Sequence, residues 1–141
     1  MIVRAEKDGF IVSTDPSLLQ IDFIHGALGR TYWASQRTRE VVEESIRNST
    51  CFGLYESKSQ RQVGFARIVT DRATFSWIAD VVVDEAYRKR GLGEWLFSCV
   101  AAHPHARDWL ALLGTRDAHG LYEKFGFVRW QAMRRPKPSW R

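Results

Sequence analysis

The sequence predicts an α/β domain built on a mixed, mostly antiparallel central sheet flanked by helices, and three observations predict it. First, 141 residues with 45% hydrophobic and 13% aromatic side chains suffice for one substantial core and argue for a globular chain. Second, Thr50–Glu56, Gln62–Thr70 and Thr74–Val83 are successive runs rich in β-branched and aromatic residues, separated only by short polar turns. Such spacing joins strands antiparallel. Third, the run ending at Val83 leads through a loop and an apolar helical pattern to another strand-like segment, Trp109–Leu113. A helix between two neighbouring strands makes a parallel crossover, so the sheet is mixed.

Taken in order, Phe10–Ser13 is a short strand. Asp15-Pro16 then has the chemistry of an N-cap followed by Pro at the first helical position. Leu18, Ile21, Ile24 and Leu28 share one face, so this helix is expected to run to about residue 28 and to end near Gly26–Gly29. His25 borders the same face and reads as a core or pocket-edge histidine. The polar loop Gly29–Arg37 carries Tyr32 and Trp33, which either plug the core or line a site. A second helix is expected over Thr38–Asn48, with Val41, Val42 and Ile46 inward and Glu43, Glu44 and Arg47 outward. After the crossover, Thr115–Lys124 reads as a helix and Phe127–Ala132 as a closing strand, reached through Gly126, where a positive φ costs little. Neither a repeat nor a linker interrupts the pattern. Residues 1–133 are therefore expected to form one domain, followed by a basic tail at 134–141.

The chemistry concentrates in Asp80–Leu96. The β-branched run Val81, Val82, Val83 ends in a turn that leads into Arg88-Lys89-Arg90-Gly91-Leu92-Gly93, and a helical pattern follows at Leu92, Trp95, Leu96, Cys99 and Val100. Glycines at a helix start let the backbone approach a ligand, and the first N–H groups of that helix lack internal partners. Those donors, the positive end of the helix dipole and three adjacent cations together suit a diphosphate. A basic turn merely capped by glycine would look the same in isolation.

The spacing Arg88-x-x-Gly91-x-Gly93 after a valine strand resembles the acetyl-CoA signature of the GNAT acetyltransferase superfamily, Gln/Arg-x-x-Gly-x-Gly/Ala. Leu121-Tyr122-Glu123-Lys124-Phe125-Gly126-Phe127 resembles that superfamily's later motif, a helix that carries a Tyr and ends in Gly-Phe. The resemblance implies the GNAT-like acyl-CoA N-acyltransferase fold and N-acetyl transfer from acetyl-CoA. It further implies that the pantetheine arm lies along Val81–Val83 like an added strand, and that Arg88, Lys89, Arg90, Gly91, Leu92 and Gly93 hold the diphosphate. Tyr122 takes the position of the acid that protonates the CoA sulfur. Thr115 stands where relatives commonly have Asn, and Ala118 where they commonly have Ala; both fall at the CoA arm.

Acetyl transfer also requires that the amine lose a proton. The acid nearest the valine run is Asp80, which either serves as a general base with a raised pKa or satisfies backbone donors at a bulge. A water chain is a third route. Asp117 reads as a helix cap. The acceptor is expected to meet Tyr32 and Trp33 on the loop and Phe75 and Trp77 on the strand, with Asp80 on the opposite face unless a bulge re-aims it. An aromatic wall favours a small or amino-acid-like amine over a basic protein tail.

Composition narrows the partners. The formal charge is +5, but Arg134, Arg135, Lys137 and Arg141 supply four of those charges, leaving 17 basic against 16 acidic side chains. A body so nearly neutral offers no nucleic-acid face. No apolar run is long enough for a membrane span, and the start of the chain lacks a signal-peptide core. Cys51 and Cys99 lack metal-ligand spacing and read as free thiols, so no metal is expected and the cytoplasm is the expected compartment. A homodimer is compatible with the sequence. The alternative functions are a catalytically silent acetyl-CoA-binding module and a protein lysine acetyltransferase.

Overall fold

In the computed structural model, which describes residues 1–137, the expected strands join one six-stranded sheet of order β1-β2-β3-β4-β5-β6. The strands are β1 Arg4–Lys7, β2 Phe10–Ser13, β3 Thr50–Glu56, β4 Gln62–Thr70, β5 Phe75–Val83 and β6 Leu110–Leu113. Neighbours are antiparallel except β5 and β6, whose connection through a helix is parallel, as the crossover requires. The helices are α1 Ile21–Leu28, α2 Arg39–Arg47, α3 Leu92–Ala102, α4 Pro104–Arg107 and α5 His119–Glu123. Leu96, Phe97 and Val100 of α3 bury one sheet face with Phe52, Ile68 and Ile78. Ile24, Leu28 and Val42 of α1 and α2 bury the other with Phe65 and Val82. Among the described residues no helix is long and apolar enough to cross a membrane.

Several elements depart from expectation. β1 is additional: Asp8 (φ 51) and Gly9 (φ 83) make a two-residue left-handed turn between the paired Lys7 and Phe10. The first helix is broken. Asp15 does cap, its Oδ1 accepting from the Ser17 N–H at 3.0 Å, but only a 3-10 turn at Pro16–Leu18 follows. The Gln20 N–H then donates to Gln62 Oε1 (2.7 Å) and the Gln62 N–H to Gln20 Oε1 (3.0 Å), which holds Gln20 extended and delays α1 to Ile21. In α2, Val42 is inward as expected, but Val41 is 50% exposed.

The C-terminal elements also contract. The helix expected over Thr115–Lys124 shortens to α5, and Asp117 does not cap it: the N-cap is Ala118, without a side-chain cap bond, and Thr115 Oγ1 accepts from the Ala118 N–H at 2.9 Å in the turn before it. Gly126 has φ 88, and Phe127 packs on Phe97 with ring centroids 5.7 Å apart. The closing strand expected at Phe127–Ala132 is not formed, because β6 is only four residues long and its outer edge pairs with nothing among the described residues. Residues 138–141 of the expected basic tail lie outside the described residues.

One close approach fixes the middle of the sheet. A Cβ placed on Gly53 would lie 2.1 Å from Oη of the buried Tyr55, whose ring folds back over that glycine. Gly53→Ala should therefore cost about 1–3 kcal/mol, the range for overpacking a filled core. A chemical-denaturation midpoint equal to that of the parent chain would rule this out.

Candidate active site

Pairing between β5 and β6 stops at Ile78 opposite Leu113. From Ala79 to Val83, β5 has strand partners among the described residues only on its β4 side, so one backbone edge faces an open wedge. The wedge leads to the turn before α3. There Lys89 (φ 63) and Gly91 (φ 75) are both left-handed, and open space surrounds the position of a Gly91 Cβ. Gly91 is the N-cap of α3, so the first N–H groups of that helix point out of its end unpaired by any internal carbonyl. Arg88 folds back, its Nε donating to the Val83 carbonyl at 3.0 Å. The Arg90 guanidinium lies over the Phe10 and Tyr87 rings, 5.2 and 5.4 Å from their centroids. The turn thus presents backbone donors first and Lys89, which has no hydrogen-bond or ion-pair partner among the described residues, as a side-chain cation. A cavity of about 420 Å³ adjoins it between Lys7, Phe10 and Trp95, but no residue of β5, β6 or α5 lines that space.

The other side of the candidate site, where the acceptor is expected, is built on Asp80. This residue has φ 58, and the β4–β5 register shifts by one across Phe65 and Arg67, so β5 bulges there. The bulge turns Asp80 toward the α1–α2 loop, the re-aiming that alternation alone would forbid. Trp33 Nε1 donates to Oδ1 (2.9 Å), while Arg37 Nη1 (2.7 Å) and Arg67 Nε (2.6 Å) both donate to Oδ2. Burial pushes the carboxyl pKa up, but Arg67 and Arg37 outweigh it and hold the group below its ordinary value. Asp80 is an ionised, fully engaged carboxylate, and this differs from both roles anticipated for it. Arg67 Nη1 continues to Ser49 Oγ (3.1 Å), and His25 Nε2 donates to the Arg37 carbonyl (3.2 Å), so the cluster fastens α1, α2 and the loop to β5.

Two loops converge beside it. The Arg116 guanidinium, from the β6–α5 loop, stands 3.7 Å from the Tyr32 ring centroid, and Tyr32 packs edge-on against Trp33 at 5.0 Å. Burial, with Tyr32 and Asp117 nearby, raises the pKa of Tyr122, which keeps its phenol protonated. The Tyr122 ring rests on Phe97 at 4.8 Å. Trp77 reaches the end of β6, its ring 3.5 Å from where a Gly114 Cβ would be. Phe75 does not join the group: it sits five residues before Asp80, about 16 Å along the strand, opposite Leu110.

A family profile described as an acetyltransferase (GNAT) domain matches residues 47–129, which contain the wedge, the Gly91 turn and Tyr122. The chain belongs to the GNAT acetyltransferases. A Gibberella zeae protein named as an acetyltransferase is 31% identical over 84% of this chain and 78% of its own length. A solved structure from Xanthomonas campestris pv. campestris, assigned to the same family, is 39% identical with a TM-score of 0.85, covering 94% of this chain and 96% of the other. A GNAT structure from Elizabethkingia anophelis with acetyl-CoA bound covers 89% of this chain and 80% of its own at TM-score 0.67; at 15% identity the likeness is one of fold.

Sequence reasoning about this GNAT chain missed Arg37, Arg67 and Arg116. Arg67 alone left a trace, as a cation inside the otherwise apolar run Val63–Val69. The buried cluster has a pH signature. The folded-state pKa of Asp80 is depressed, so its stabilisation is complete above the unfolded value near pH 4 and is lost as pH falls through the folded value. Asp80→Asn should lose about 3 kcal/mol at pH 7, because two mostly buried guanidiniums then lack a counter-charge. Below pH 4 its melting temperature should decline less steeply than that of the parent. Parallel pH profiles for the two proteins would contradict this account.

Proposed function

We propose that the chain transfers the acetyl group of acetyl-CoA to the primary amine of a small molecule or amino-acid-like acceptor. The observation that carries this reading is the wedge whose free β5 edge runs into the Gly91 turn. An extended pantetheine arm can bond the backbone of Val81, Val82 and Val83 as an added strand would, while the diphosphate meets the N–H groups at the start of α3. Leu92 and Gly93 supply donors there, and a Gly93 side chain would meet only Val83 Cγ2, at 3.7 Å. Thr115 and Ala118 border the arm from the β6–α5 loop.

In the reaction the amine nitrogen attacks the thioester carbonyl carbon. The C–N bond forms, a backbone N–H near the bulge receives the developing oxyanion, and the C–S bond then breaks. Tyr122, still protonated at neutral pH, gives its proton to the departing thiolate. The amine's proton leaves through water, since Asp80 is ionised but wholly engaged. Tyr32, Trp33 and Trp77 form the acceptor wall, and three aromatic faces fit a small apolar body better than an extended peptide. Two free cysteines accord with a cytoplasmic setting.

Two variants separate the roles. Tyr122→Phe should lower kcat on the order of 10²-fold with acetyl-CoA affinity nearly intact, as loss of a positioned acid does. Gly91→Asp, which sets a side chain and a negative charge at a left-handed cap, should weaken acetyl-CoA binding about tenfold by calorimetric titration. Full turnover in the first variant removes Tyr122 from the mechanism, and unchanged affinity in a folded Gly91→Asp protein removes the turn from the CoA site.

A further inference from the structure

We infer that the acceptor amine carries an oxyanion, a carboxylate or a phosphate, and that Arg37 and Arg67 receive it. The inference rests on the small-amine reading above and adds the acceptor's chemical class. It starts from a charge imbalance. Among the described residues Asp80 is the one acid bonded to these guanidiniums, and both bond the same oxygen, Oδ2. The side chains of Asp80, Arg37 and Arg67 are only 1%, 19% and 12% exposed, so one positive charge is held in a mostly desolvated place without an opposite charge. A site of that kind is incomplete until an anion enters.

The donors for that anion are present. Arg37 commits one N–H group to a side-chain acceptor, and Arg67 commits its Nε and Nη1, leaving Arg37 Nε and Nη2 and Arg67 Nη2 without a partner among the described residues. Of the acids on the flanking helices and the β4–β5 turn, Asp22 and Glu43 pair with Arg39, Glu44 with Arg47 and Asp71 with its own turn, while Asp117 lies on the Tyr122 side. Arg67 also projects on the acceptor face. It shares a sheet face with Val69, which lies opposite Trp77, and Arg67 itself lies opposite Ala79. Arg116, stacked on Tyr32 at the other side of the aromatic wall, has no acidic partner among the described residues and adds to the same positive field. The planar fork of a guanidinium matches a carboxylate or phosphate in two parallel hydrogen bonds. The same field opposes a lysine-rich peptide.

The experiment compares matched amines in a CoA-release assay on the full chain: phenylalanine against phenethylamine, and O-phosphoethanolamine against ethanolamine. The oxyanion-bearing member of at least one pair should be preferred tenfold or more in kcat/KM, mostly through KM, and the pair that shows it tells carboxylate from phosphate. Arg37→Gln, which leaves Asp80 and Arg67 as a balanced pair, should bring that ratio toward one. Should this variant not fold, 3-phenylpropionate or inorganic phosphate should inhibit the parent protein competitively against the acceptor and not against acetyl-CoA. Equal or better use of the neutral amines overturns the inference while leaving acetyl transfer to small amines standing. Absence of release with every small amine sinks the proposed function, and this inference with it.

Discussion

A single residue in left-handed backbone sets the geometry of this molecule's working end. Asp80 adopts φ 58 inside a strand, a conformation that costs a residue with a Cβ free energy and that Asp tolerates better than most. Its carboxylate, bonded to Trp33, Arg37 and Arg67, offsets that cost. The consequences run along β5. Ile78 faces the α3 side of the sheet, yet after the bulge Val82 packs on the α1 side, while Val81 and Val83 turn to α3. A register shift of one residue therefore exchanges the faces of the strand's second half. Pairing with β6 also ends just before it, at Ile78. Wedge, face exchange and loop anchor meet at one position.

Most of the sheet was legible because each internal strand is a run of residues with one dominant preference. β3 and β4 begin and end where the β-branched and aromatic runs do, and β5 starts one residue late. Legibility failed where a partner distant in sequence overrode a local pattern. The first helix has a sound cap and an apolar stripe, but its continuity is cut by Gln62, 42 residues away. β1 is polar and exposed along most of its length, so only the Asp8-Gly9 turn betrayed it. The closing strand shows the reverse case, in which alternation is present at Phe127–Ala132 but no described strand edge is taken up by it.

The two halves of the site differ in the same way. The turn at Gly91 works through backbone: a positive φ, a helix end and a free strand edge. Backbone demands of that kind leave glycines and valines at fixed spacings, which a reader of the sequence can find. The half proposed for the acceptor is assembled from side chains of the α1–α2 loop, β4, β5 and the β6–α5 loop, and Arg37 lies 43 residues from the carboxylate it bonds. No spacing records such a pair. What the sequence does hold, outside the four cations of residues 134–141, is 17 basic against 16 acidic side chains, and such bulk balance hides local imbalance. Two of the three acids of α2, Glu43 and Glu44, pair with exposed arginines, while two guanidiniums are left to share one buried carboxylate. Exposed pairs contribute little to stability. The buried imbalance carries far more electrostatic consequence, because little water screens it. The chain's net charge is therefore a poor guide to its ligands, and the few charges withdrawn from water around Asp80 are a better one.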